Sequence, residues 1–316
     1  MIRFLTRRVL QAIVVLFIVT IIVFVLIHLL PGGPARAELG VQATPTAIES
    51  FNKQHGFDKS LPQQYLTWLG ELFRGDLGYS YKENSTVMDL LKDRLPKTAL
   101  LAGVSVAIAV LIAIPLGTLQ AVRRNRLTDY VATAVTFVLY STPSFWLSLI
   151  LVLFFSVKLG FLPAQAPQGS IAAVLAQPSG LILPIATIAL ISVALYSRYM
   201  RSSTIDNLTQ DYVRTARAKG ASTARVLFGH VLRNAISPIL TLLGLSLPFI
   251  LSGTLITERV FNFPGMGLLF YNAAVTQDYP VLLAVTLVVA IATVLGSVLA
   301  DIGYALLDPR IRHAHG

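Results

Sequence analysis

The chain has 316 residues, 55% hydrophobic and 13% charged, with no cysteine. This composition excludes a globular domain built around one large core and fits an integral membrane protein; without thiols, a disulfide framework and thiolate chemistry are also excluded. The formal charge of +10 would suit nucleic acid, but the basic residues crowd into short loops beside apolar runs, so the expected partner is membrane lipid and not nucleic acid.

Arg3, Arg7 and Arg8 precede an apolar run over 9–30. At about 1.5 Å per residue it is long enough to cross a hydrocarbon core of roughly 30 Å, and it is expected to be the first span. A cleaved signal peptide is the competing reading, because Ala35-Arg36-Ala37 mimics a small-x-small site. The apolar run exceeds the signal core of roughly 7–15 residues, which favours a retained span. From 31 to 96 the chain is polar and nearly neutral, with eight acidic and seven basic residues. Such a segment can be translocated whatever its charge and is placed outside. Within it Thr44-Pro45 opens one helix, and 61–73 repeats apolar residues at helical spacing up to Gly75. Gly75-Asp76-Leu77-Gly78 reads by itself as a turn.

Further apolar runs follow at 98–122, 130–157, 181–200, 235–256 and 281–307, giving six spans and both termini on one side. That side carries Arg3, Arg7, Arg8, Arg123, Arg124, Arg126, the bases at 198, 201, 214, 217, 219, 225 and 233, and Arg310 and Arg312. The short loops opposite hold only Lys158 and Arg259, so both termini are expected in the cytoplasm. Prolines at 115, 143, 184, 238 and 248 should kink or end helices. Gly103, Gly117, Gly244, Gly253 and Gly296 would permit close helix packing, within the chain or against a partner. Intramembrane charge is nearly absent: His28 lies at an outer end, and Asp301 reads as a partnered or interface-facing carboxylate. Neutral groups, Tyr140, Ser141, Thr142, Ser144, Phe145, Trp146, Ser246 and Ser252, are the candidate lining of a pathway. The five histidines are scattered, with His313 and His315 in a polar tail, and form no metal cluster.

Between the fourth and fifth runs lies 211–238, DYVRTARAKGASTARVLFGHVLRNAISP. Asp211 suits a helix start, Arg217 and Lys219 its end, and Gly220 a left-handed stop. Ser222 or Thr223 can cap a second helix with Val226, Leu227 and Val231 on one face. The pair makes a poor membrane span and a good docking surface; the plainer reading is a basic loop that only fixes orientation. The loop 257–280 carries Glu258-Arg259-Val260-Phe261-Asn262 running into Phe263-Pro264-Gly265-Met266-Gly267, a tight turn flanked by aromatics. It suits a lid over a pathway or an ordinary interfacial loop.

DYVRTARAKG followed by HVLRNAISP resembles the Glu-Ala-Ala-x-x-x-Gly loop of binding-protein-dependent ABC importer permeases, in the form of the peptide/nickel branch. Arg214, Thr215 and Ala216 hold its first three places and Gly220 the glycine. The acidic first residue is missing, and Arg233 stands where other branches keep proline. The Gly75 turn with Tyr79 and Tyr81, the 258–267 segment and the ending Asp308-Pro309-Arg310-Ile311-Arg312 are similar to the same permeases.

The resemblance implies an all-α membrane protein with the type I (MetI-like) importer permease fold and six transmembrane helices. A tip and first helix (1–30), a partly helical outer region (31–96), a permease core (97–307, with its coupling loop at 201–233) and a cytoplasmic tail (308–316) would make up the chain. It further implies a prokaryotic inner-membrane location, as the first of two homologous permeases with two ABC ATPase subunits or domains and an extracytoplasmic solute-binding protein. Asp211, Tyr212, Arg214, Thr215, Ala216, Arg217, Ala218, Lys219 and Gly220 would engage the ATPase. Gly75, Asp76, Phe263, Pro264 and Gly265 would form an outer gate or binding-protein contact.

The chain has no Gly-x-x-x-x-Gly-Lys-Ser/Thr loop, so ATP and Mg would sit on partner subunits, with no cofactor in this chain. No catalytic set of side chains is evident, which excludes covalent chemistry by the chain itself. The expected role is a permease for di- or oligopeptides, with glutathione and nickel chelates as other cargo of the branch. An ion-coupled secondary transporter is the alternative, and an intramembrane enzyme or scaffold a third.

Overall fold

The structure, a computed structural model, describes residues 2–28, 35, 39, 42–246 and 255–307. Leu29 and Leu30 of the first run, Arg36, Ala37, Pro248, Ser252, Gly253 and the ending 308–316 lie outside the described residues, as does the side chain of Asp301.

Helix α1 (Ile2–His28) leads into two short helices, α2 (Pro45–His55) and α3 (Leu61–Phe73). The Thr44 hydroxyl accepts from the Ala47 amide at 3.3 Å and proline occupies the first turn of α2, as the sequence predicts. A small hairpin follows, β1 (Tyr79–Ser80) against β2 (Ser85–Thr86), with Tyr79 opposite Thr86 and Ser80 opposite Ser85. Its last residue caps the longest helix, α4 (Val87–Val122): Thr86 Oγ1 accepts from the Asp89 amide at 3.1 Å. The helix therefore starts well before the apolar run at 98 and passes through Pro96 and Pro115. Hydropathy marks where the helix enters apolar surroundings; the cap marks where it begins.

The run 130–157, read from hydropathy as one span, is broken. Helix α5 (Leu127–Ser141) stops at Thr142, and α6 (Ser144–Leu151) with its π-helical extension Val152–Lys158 leaves at 106° to it. Pro143 forces this, because it lacks an amide proton and holds Thr142 in extended backbone. After α7 (Ile171–Leu175) comes α8 (Ser179–Leu208), then the short α9 (Asp211–Ala218). Helices α10 (Thr223–Val226), α11 (Leu232–Ala235) and α12 (Ser237–Leu245), joined by a π-helical turn at Leu227–Val231, form one rod. The chain closes with α13 (Leu255–Val260), α14 (Met266–Thr276) and α15 (Tyr279–Leu307).

Among the described residues, Val87–Val122, Ser179–Leu208, Thr223–Leu245 and Tyr279–Val298 are each long and apolar enough to cross a membrane, and the bent pair makes up to a fifth. Helix α1 carries a shorter apolar stretch, Leu10–Val25.

Helices α4 and α8 share the most extensive contact. Leu101 clusters with Leu181 and Ile188, while Gly117 lies against Ser197, Met200 and Arg201, so the two helices run parallel. A Cβ on Gly117 would lie 2.5 Å from the Ser197 carbonyl oxygen and 2.7 Å from Met200 Cβ, so only glycine permits this approach. Gly103, expected to serve the same purpose, has nothing within 4 Å of its Cβ position. The parallel pair sorts the chain into two ends. Val213, Val226 and Val231 share a buried cluster with Ala113 and Met200 toward one end. At the other, Met266 and Val281 pack with Val87 and Leu91, and Tyr279 packs with Val23. The basic loops thus share one end, and the hairpin and the 258–267 segment share the opposite one.

Gly117→Ala is expected to destabilise the protein by about 1–3 kcal/mol through overpacking, whereas Gly103→Ala stays within about 0.5 kcal/mol of the parent. Thermal unfolding of the two detergent-solubilised variants checks the contrast.

Candidate functional site

At the basic end, α9 begins at Asp211 and closes in a Schellman motif. The Ala221 amide donates to the Ala216 carbonyl at 3.1 Å and the Gly220 amide to the Arg217 carbonyl at 2.9 Å, with Gly220 at φ +80°. This explains the spacing of Ala216 and Gly220: one is the last inward-facing residue of the helix, the other its left-handed stop. Val213 is fully buried, and Tyr212, Ala216 and Ala221 pack against the same core cluster. The Tyr212 hydroxyl donates to Asn207 Oδ1 at 2.7 Å, fixing α9 to the end of α8. Ser222 caps the next helix, accepting from the Arg225 amide at 3.4 Å. The outward face presents Asp211, Arg214, Thr215, Arg217, Ala218, Lys219 and Gly220, with Phe228 exposed beside them. The 3.5 Å Arg214–Asp211 pair on this face is solvated and adds little to stability. A rigid basic helix plugged into the α4–α8 core by apolar side chains results.

Ten residues before α9, Arg201 of α8 makes a bidentate ion pair with Asp129 of α5. Nε and Nη2 donate to Oδ1 and Oδ2, both at 2.8 Å, and the Asp129 side chain is only 3% exposed. The carboxylate also accepts from the Asn125 amide at 3.1 Å and from Thr133 Oγ1 at 3.3 Å. It thus joins the α4–α5 turn, α5 and α8. Read from sequence, Arg201 counts only among the bases of the expected cytoplasmic side and Asp129 is not singled out, since each sits beside a basic loop.

At the opposite end a second buried carboxylate organises the 258–267 segment. Glu258 is fully buried; its Oε1 accepts from Thr98 Oγ1 at 2.9 Å and its Oε2 from the Leu268 amide at 2.9 Å. Thr98 Oγ1 in turn accepts from the Met266 amide at 2.7 Å. Two amides at the start of α14 therefore find acceptors on α13 and α4, and the carboxylate sits at the positive end of the helix. The glycines follow from this closeness. A Cβ on Gly265 would lie 2.4 Å from Thr98 Oγ1 and 2.5 Å from Glu258 Oε2, and one on Gly267 would lie 2.7 Å from Leu255 Cα. Phe261 and Phe263 are fully buried, and the Phe261 carbonyl accepts from the Ala166 amide at 2.8 Å.

Nearby, Asp76 Oδ1 accepts from the Gly78 amide at 2.8 Å, with Gly75 at φ +81° and Gly78 at φ +87°. The hairpin it leads into is pinned to the start of α15, where the Ser80 hydroxyl donates to Asp278. Gly75 and Asp76 are exposed, whereas Phe263, Pro264 and Gly265 are buried. These last three are packed into the joint between α4, α13 and α14. Tyr140, Phe145 and Trp146 flank the Pro143 break on an exposed face, with the Arg198 guanidinium 4.8 Å above the Tyr140 ring. Among the described residues there is no cluster of metal-ligating side chains. The pairings of Thr98 with Glu258 and of Asp129 with Arg201 carry no sequence signal, since the partners lie far apart along the chain; the Pro-Gly-Met-Gly spacing was the one available hint of a close approach.

Glu258→Ala leaves the Leu268 amide without its buried acceptor and is expected to cost about 2 kcal/mol or more, with Glu258→Gln losing less because it keeps an acceptor. Asp129→Asn strips a partly buried guanidinium of its counter-charge, for an expected loss of about 2 kcal/mol. Unfolding midpoints of the purified variants measure both.

The sequence of the chain matches two family models: "Binding-protein-dependent transport system inner membrane component" over residues 113–313 and the corresponding N-terminal model over residues 1–102. It is 39% identical to the oligopeptide transport system permease protein AppB of Bacillus subtilis over 99% of this chain and 100% of that one. Identity is 36% to the oligopeptide permease OppB of Haemophilus influenzae and 36% to the glutathione permease GsiC of Escherichia coli K12, each over 99% of this chain and 100% of theirs. With both family models matched and its apolar helices long enough to cross a bilayer, the chain belongs to the binding-protein-dependent inner-membrane components: it is a multi-pass permease subunit of an ABC importer, without an ATPase site of its own.

Proposed function

We propose that this permease carries peptides across the inner membrane and takes its motion from ATPase subunits through α9. The observation that carries the reading is the construction of the basic end: a short helix with an exposed cationic face, rooted by Val213 in the α4–α8 core, with Val226 of the following α10 buried in the same cluster. A push on such a helix moves two membrane helices as one body, because close-packed cores shift as units. Energy must come from outside, since the chain has no phosphate-binding loop. Two ATPase subunits or domains holding ATP and Mg would supply it, a second homologous permease would complete the pathway, and an extracytoplasmic binding protein would deliver cargo. Peptide cargo is supported by the oligopeptide and glutathione permeases to which the chain is similar.

In this arrangement α1, α4, the bent α5–α6 pair, α8, the rod from α10 and α15 are six spans. The basic end and both termini face the cytoplasm, as the distribution of arginine and lysine favours. Gly75 and Asp76, exposed at the opposite end, lie where a binding protein would dock.

The test leaves the inward face of α9 alone. Arg214→Glu with Arg217→Glu changes exposed charges only, so folding should hold within about 0.5 kcal/mol. Uptake of labelled di- and oligopeptides should fall about tenfold or more, because like charge is then set against the partner surface. Loss of co-purifying ATPase should accompany it, and uptake equal to the parent would overturn the coupling role.

A further inference from the structure

Helix α3 lies in the region expected outside the membrane, yet the structure ties it to the flank of α1 below the polar end of that helix. The Tyr65 ring packs between Phe17, with centroids 6.3 Å apart, and Phe24, at 5.3 Å, and its hydroxyl lies 2.9 Å from Thr20 Oγ1. Trp68 packs on Phe24 at 5.9 Å. One turn above Phe24, His28 Nε2 meets Gln64 Oε1 at 2.9 Å, closing the contact with polar groups. Phe17, Thr20 and Phe24 all belong to the apolar stretch Leu10–Val25. The Tyr65 hydroxyl therefore sits about 7 Å inward of Val25 along the axis of α1, at about 1.5 Å per residue. A phenol at that depth has a hydroxyl partner in place of water.

The sequence of α3 divides into three stripes. Leu61, Tyr65, Trp68 and Leu72 form the first, on which Tyr65 and Trp68 meet α1. Gln63, Thr67 and Glu71 form an exposed polar stripe. Leu66, Leu69 and Phe73 form a third, apolar and open: Leu66 is 66% and Phe73 84% exposed. Leu66 follows directly on Tyr65, whose ring packs between Phe17 and Phe24 inside the apolar stretch of α1, so this open stripe begins at the depth of that stretch. An uncovered apolar edge at that depth selects lipid as the occupant, and the polar stripe gives the helix its water-facing side.

We propose that α3 is an interfacial membrane helix, its Leu66–Leu69–Phe73 edge seated among the outer-leaflet acyl chains beside α1. The proposal rests on the reading of α1 as a span and is independent of coupling through α9. It turns part of the expected outer region into a membrane-anchored platform that carries the hairpin and its Gly75 turn.

The chain has no cysteine, so single-cysteine labels report one place each. Leu66→Cys, Phe73→Cys, Gln63→Cys and Glu71→Cys, all at exposed positions, are spin-labelled in the full chain assembled with its co-purifying subunits in phosphatidylethanolamine and phosphatidylglycerol vesicles. Ile18→Cys on α1 is the control. Accessibility to oxygen, which concentrates among acyl chains, is compared with that to water-soluble chromium oxalate. The expected oxygen-to-chromium ratio is several-fold higher at 66 and 73 than at 63 and 71, and similar to that at 18. Chromium access at 66 and 73 equal to that at 63, with 18 still oxygen-favoured, would place α3 in water and overturn the proposal alone. Shielding of 66 and 73 from both reagents would mean that protein covers the stripe, which also overturns it. Chromium access at 18 would remove the span on which it rests.

Discussion

The contact on which the rest of this structure depends is the close parallel packing of α4 and α8 across Gly117. Within a bilayer there is no hydrophobic drive to bring two apolar helices together, so association relies on dispersion contacts that fall off within an ångström or so of optimal distance. Backbone within reach of backbone gives α4 and α8 a long seam, and everything with a candidate role is fastened to one end of it or the other. The basic end receives Val213 and Val226 against the seam, and the far end receives Phe263 against Leu101.

At each end a buried carboxylate finishes the assembly. Asp129 and Glu258 differ in what they face: the first meets a guanidinium, the second two helix-start donors shared with Thr98. In both cases the surroundings are poor in water, so satisfying the polar groups constrains geometry more than it adds stability. Carboxylates of this kind act as fasteners between elements distant in sequence. Their presence also changes how charge in this chain is read. Among the described residues the buried charges are internally engaged.

The proposed mechanism follows from stiffness. Helix α9 has a closed Schellman end, a capped successor and a buried root, so displacement of its outer face has little slack to be lost in. Asp129 extends the moving body from α8 to α5, up to the break at Pro143, where the backbone changes direction by 106°. The aromatics around that break lie on an exposed face.

Much of the fold was legible in the residues. Apolar length gave the long helices, Thr44-Pro45, Gly220 and Ser222 gave local starts and stops, and Asp211 to Gly220 was recognisable as a short basic helix, because caps and periodicity are local properties. Helix beginnings such as Val87 were not, since hydropathy reports surroundings and a cap such as Thr86 reports the backbone. Nothing local in the 258–267 segment marks its glycines and phenylalanines as the interior of a joint, because Thr98, Ala166 and Glu258 meet only after the chain has folded back on itself. The sequence by itself determined that this protein is helical, membrane-embedded and basic on one side, as these depend on composition and on neighbours a few residues away. Which glycine is a contact, which carboxylate is buried and which surface is left open were decided only by the tertiary structure, since each depends on an atom contributed from far along the chain.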